Sequence, residues 1–171
     1  MYSQAPPGSE TPAPAGQKLF GKYTGYVEKN QDDERGGKLY VTVPDVLGPT
    51  KVWARPCLPY AGAGVGLFMM PEKGRAVWIE FEAGDPAYPI WTGCQWEKNE
   101  APESDPKIKM IKTETMELRF SDADKELTLR FGNSVRVTLR DDAVTLEVSG
   151  GAKLEMSGNK VSLNGPHLEV T

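Results

Sequence analysis

The sequence predicts an all-β protein in two modules, a small closed barrel followed by a long β-ribbon that associates with copies of itself. Three observations lead there. Short runs alternate apolar and polar residues throughout, Gly, Pro, Asn and Asp punctuate them, and no amphipathic helical stretch interrupts them. At 171 residues the chain fits one medium domain or two small ones.

Residues 1–17 hold Pro6, Pro7, Pro12 and Pro14 among Ser, Gly, Gln and Ala, which reads as an extended or disordered arm. The next module spans 18–97. KYTGYVEKN and KLYVTVPD flank the loop QDDERGG, and Leu39, Val41 and Val43 take one face of the second run. KVWARP follows, then a Gly-rich loop, a strand at 67–70, and the turn PEKG. In the strand after it Val77, Ile79 and Phe81 share a face, and the turn EAGDP leads into YPIWTG. Five or six short strands without a helix favour a small barrel, which leaves no edge to protect.

The polar stretch 98–106 reads as a linker, because Pro102 and Pro106 each bias the preceding residue away from helix. From 107 to 171 the chain becomes a ladder. Apolar residues fall at Ile108 and Met110; Met116, Leu118 and Phe120; Leu127, Leu129 and Phe131; Val135, Val137 and Leu139. They continue at Val144, Leu146 and Val148; Leu154 and Met156; Val161 and Leu163; Leu168 and Val170. Lys, Arg, Glu, Thr and Ser fill alternate positions, so one face is dry and one is wet. Seven or so strands at ~4.8 Å spacing give a ribbon roughly 34 Å long, whose dry face approaches what a soluble monomer tolerates exposed. Self-association about a common axis is the favoured covering, with Leu118, Leu129, Val137, Leu146, Leu154, Val161 and Leu163 as the expected core.

Composition narrows the function. A net charge of −4 and a pI near 5.2 give no basic footprint for nucleic acid. The N-terminus has no secretory pattern and no run is long enough to span a bilayer, so synthesis in the bacterial cytoplasm is expected. There Cys57 and Cys94 are expected as reduced, small buried hydrophobes. The single histidine, His167, sits close to the C-terminus with nothing to enclose it, so triad chemistry is not expected and neither is an enzyme.

The stretch WARPCLPYAGAGVGLFMMPEKGRAVWIEFEAGDPAYPIWTG resembles the OB-fold domain of phage baseplate assembly protein V and the VgrG-type tail spikes of contractile injection systems. The resemblance rests on Trp53 and Arg55, Ala61 and Gly62, Pro71 and Gly74, Val77 to Glu82, Gly84 to Pro86, and Gly93. GYVEKN…GGKLYVTVPD fits that domain's first hairpin, and GAKLEMSGNKVSLNG resembles the spike β-helix that follows it. The resemblance implies a homotrimer whose C-terminal segments intertwine into a three-sided β-helix, a non-enzymatic spike assembled into a virion baseplate or injection-system particle. It implies docking on a separate baseplate hub protein and transient, mechanical puncturing of a target envelope. No lysozyme-like insertion is present between the modules.

Some spikes of this kind end in His-x-His and hold an iron, whereas here the region reads Pro166-His167-Leu168-Glu169. A ring of three His167 side chains, with Glu169 beside it, is a candidate site for a metal ion at the spike tip. The alternatives are a solvated histidine and a contact for a PAAR-type tip protein.

The remaining signals have plainer readings. GAGVG lacks the Gly-Lys-Ser/Thr ending of a phosphate loop, and Asp122, Asp124, Glu126, Asp141 and Asp142 fit no calcium-loop spacing. Trp53, Trp78, Trp91 and Trp96 are assigned to barrel packing or hub contact. The alternative function, an oligomeric OB-fold protein binding single-stranded nucleic acid, would use them to stack bases. Arg55 and Arg75 are candidates to pair with Glu82 or Asp85.

Overall fold

Period-two alternation builds the first unit of the chain. The computed structural model describes Gly16, residues 18–165 and residues 168–170, in two units that divide between Glu100 and Ala101. The first unit contains β1 (Tyr23–Lys29), β2 (Leu39–Thr42), a single helical turn α1 (Pro44–Leu47) and β3 (Lys51–Pro56). A miniature ribbon of β4 (Ala61–Gly62) and β5 (Val65–Gly66) follows, then β6 (Ala76–Phe81) and β7 (Pro89–Cys94). Five strands close a barrel in the order β1-β2-β3-β7-β6, with β3 and β7 parallel and the other pairs antiparallel. This is the architecture of an OB fold.

Leu39, Val41 and Val43 point inward, as do Val77, Ile79 and Phe81, and they meet Val27, Ala54 and Trp91 in one buried cluster. Burying each large aliphatic there contributes roughly 1.5–3 kcal/mol. Closure requires β1 to lie close to both its neighbours. At Gly25 a Cβ would come within 2.7 Å of the Ile79 side chain and 3.0 Å of the Thr42 carbonyl oxygen, so no larger residue fits without displacement.

The structure departs from the sequence expectation at three places in this unit. Residues 67–70 form no strand; all the edges of the five barrel strands are already paired, and LFMM has nothing to join. The Gly-rich loop before it supplies the β4–β5 ribbon instead, closed by the Leu67 N–H donating to the Tyr60 carbonyl at 2.9 Å. Pro44 starts α1, a turn that the Val and Leu of PDVL tie to the core through Val46 and Leu47. Cys57 and Cys94 are free and exposed rather than buried, because one follows β3 and the other ends β7, at the margin of the packed layer.

The second unit is an antiparallel meander. Its strands are β8 (Ile108–Lys112), β9 (Met116–Ser121), β10 (Glu126–Phe131), β11 (Val135–Leu139), β12 (Ala143–Val148), β13 (Lys153–Ser157), β14 (Lys160–Leu163) and β15 (Leu168–Val170). They lie in one sheet in chain order, each hydrogen-bonded to the next. Short turns of Gly, Asn, Ser and Asp make this order the natural one.

Candidate functional site

Register places the apolar residues of the second unit in continuous rows. Ile111, Leu118, Leu129, Val137, Leu146, Leu154, Leu163 and Leu168 are successive direct partners across all eight strands. Beside that row on the same face run Phe120, Leu127, Leu139, Val144, Met156, Val161 and Val170. Six of the seven expected core residues thus fall in one row and Val161 in the adjacent one. Strand β8 is the exception to the expected phase. Ile108 and Met110 lie opposite Ser121 and Arg119, on the polar face, and Ile111 joins the aliphatic row. The run Ile108-Lys109-Met110-Ile111 does not alternate cleanly. The turn after it sets the register, with the Thr113 N–H donating to the Met116 carbonyl at 2.8 Å.

Burial is the reverse of what a self-sufficient sheet shows. The aliphatic face is open: Leu146 is 38% exposed, Leu163 42%, Phe131 46% and Met116 50%. The polar face holds the buried residues, Ser121, Thr128, Thr138 and Thr145, three of them a threonine ladder of directly opposed partners. Charged side chains share this face and pair with one another. Glu117 lies 3.4 Å from the Lys112 ammonium, Arg140 donates to Glu126 at 2.6 Å, and Lys153 pairs with Glu155 at 2.6 Å. The Thr128 hydroxyl donates to Glu126 Oε1 at 2.8 Å, and this bond, with Arg140 beside it, holds the Glu126 carboxyl below the usual glutamate range. Among the described residues no buried side-chain polar atom lacks a partner. The polar face is complete in one chain, and the aliphatic face is not.

The acidic turn residues serve locally. Asp122 pairs with Lys109, and Asp124 accepts from the Ser121 hydroxyl at 2.7 Å. Asp141 and Asp142 stand exposed. Among the described residues no group of three or more His, Cys, Asp or Glu side chains is placed to hold a metal. His167 lies outside the described residues, and Glu169 is known only as the backbone partner of Ser162 in β15.

On the barrel, Arg55 pairs with Glu82, while Arg75 reaches Glu100 at 2.8 Å rather than Asp85. The Asp85 carboxylate accepts from the Ala87 N–H instead. Of the four tryptophans only Trp91 is core, its Nε1–H donating to the Gly37 carbonyl at 3.1 Å. Trp53 packs against Tyr40 with ring centroids 5.1 Å apart and stays partly exposed, and Trp96 is largely exposed. The segment after Cys57, expected as a Gly-rich loop and a strand at 67–70 with no functional role, leaves Tyr60, Val65, Leu67, Phe68 and Met69 all exposed. The signal was the unalternating LFMM run before Pro71. Among the described residues no helix is long and apolar enough to cross a membrane.

A closed β-barrel followed by a sheet with a finished polar face and a bare aliphatic one defines a class: structural β-proteins completed by association. Comparison with known families makes this specific. Residues 23–96 match the type VI secretion system/phage-baseplate injector OB domain. Residues 107–169 match the phage baseplate V C-terminal trimerisation domain. The chain belongs to the phage baseplate V family, that of the VgrG-type tail spikes of contractile injection systems, and its second unit is that family's trimerisation domain. No curated protein matches the sequence.

Proposed function

We propose that the protein is the homotrimeric central spike of a contractile tail or injection-system baseplate. In this reading residues 107–171 of three chains intertwine into a β-helix, 98–106 link it to the barrel at 18–97, and 1–17 form an arm. The observation that carries the reading is the aliphatic row from Ile111 to Leu163, partly or wholly exposed along seven strands of a single chain. Three such faces turned toward one axis remove that surface from water, at ~25 cal/mol per Å² buried. The function is mechanical. A spike whose strands all lie in closed sheets transmits thrust, because unfolding one chain requires separating three. No residue is asked to do chemistry.

The barrel is the proposed seat of a separately encoded hub. The exposed Tyr60, Leu67, Phe68 and Met69 offer an apolar contact of the kind that such a permanent joint buries. A PAAR-type tip protein or a metal at His167 would finish the far end. An electron-microscopy map of the assembled particle tests the assignment. Threefold density for this chain on the central axis, joined to the hub through the barrel, is expected; its absence from the axis overturns the function.

A further inference from the structure

The second unit has two long borders where its hairpin turns lie; Arg136 stands near one, where exposed Glu114 also lies, and Asp141 and Asp142 stand at the other, where exposed Lys125 also lies. On the polar face one register row reads Lys112, Glu117, Arg130, Arg136, Glu147, Lys153. Charges alternate along it except at the middle, where Arg130 and Arg136 stand directly opposite each other. Like charges so placed are destabilising. Arg130 has only Glu117, at 3.9 Å, and Arg136 has no hydrogen bond or ion pair among the described residues. Both arginines line a cleft of about 500 Å³ between the turns at 132–134 and 149–152, together with Glu147 and Lys153. Gly132, Gly150 and Gly151 of those turns line it beside Asn133, Ser134 and Ser149, and a Cβ on any of the three glycines would meet nothing within 4 Å.

The turn at the opposite border, joining β11 to β12, reads Arg140-Asp141-Asp142. Arg140 is engaged by Glu126, which leaves Asp141 and Asp142 exposed and without a partner among the described residues. Asp141 lies five residue steps beyond Arg136, about 16 Å at ~3.3 Å per step along a strand, so the two cannot meet within one chain.

We infer that the Asp141–Asp142 turn of one copy seats in the Arg130–Arg136 cleft of the next. The inference rests on the trimer proposed above. A threefold rotation joins copies head to tail, so one border of each chain meets the other border of its neighbour. A rotation carries no translation along its axis. For strands that run around the axis, the two ends of the same strand pair therefore face each other in successive copies. The acidic turn and the basic cleft are the two ends of the β11–β12 pair. The second copy's carboxylates give Arg136 the partner that its own chain withholds, and they relieve the opposed arginines. The aliphatic face supplies the affinity, and this contact sets the order and height at which the copies close.

Charge reversal in the full-length protein tests the pairing, read by native mass and by the temperature at which trimer dissociates in low salt. R136E is expected to lose trimer at concentrations where wild type is fully trimeric. R136E/D141K/D142K is expected to regain it in part, because the lysine turn then meets the glutamate at position 136 while Arg130 stays basic. Mixing R136E with D141K/D142K is expected to restore it only in part, since a ring of three built from two kinds of chain always leaves one like-charged contact. The inference is overturned if R136E dissociates at the wild-type temperature, or if the triple variant assembles no better than R136E. A monomeric wild type would instead remove the trimer itself.

Discussion

Gly25 and Leu146 show how single positions carry the two halves of the account. Gly25 is an interior strand residue whose added methyl would press on Ile79, itself fully buried and unable to swing away. Gly25→Ala is expected to destabilise the barrel by about 1–3 kcal/mol, the usual cost of overpacking, as measured by chemical denaturation. An unchanged midpoint would mean that β1 has more room than the geometry allows. Leu146 has the opposite character: partly exposed in one chain, it sits mid-row on the aliphatic face. Leu146→Asp, and equally Leu163→Asp, is expected to abolish trimerisation while leaving the barrel folded, because three carboxylates would share a dry interior. Normal assembly of these variants would place the inward face elsewhere.

At the scale of elements, the ladder of the second unit was legible because each strand is short, alternating and bounded by turn residues. Where alternation fails, legibility failed too. Strand β8 has apolar residues on both faces, so its phase is set by the turn at Thr113 rather than by its own pattern. LFMM looks like a strand by composition but finds no unpaired edge, a fact of barrel closure that no local window contains. The exposure of Cys57 and Cys94 likewise depends on where strands stop. Threonine burial was illegible for a related reason. Alternation labels Thr128, Thr138 and Thr145 as wet, yet all three are buried, and Thr128 is bonded to Glu126 beside it. That bond has a pH signature. The folded protein holds the Glu126 carboxyl below its ordinary range, so its bonds to Thr128 and Arg140 contribute full stability above that range and lose it as pH falls through the lowered value. The difference in melting temperature between wild type and Glu126→Gln is expected at neutral pH and should shrink below about pH 4. A difference that persists in acid would trace it to packing instead.

For the molecule as a whole, the sequence pattern and the family point the same way: an OB barrel and a trimerisation domain of the phage baseplate V type. The axis itself was legible only as a missing cover, since one chain's pattern says that a face is dry without saying what dries it. His167 belongs to this scale as well, because only three copies could make it a site. Metal analysis of purified wild type against His167→Ala is expected to show metal in the wild type alone if the imidazoles converge, and none in either if they do not. The most direct test of the account is the native mass of the purified protein. A species of three times the 18.8 kDa chain mass, stable on dilution, is the predicted result, and a stable monomer would contradict it.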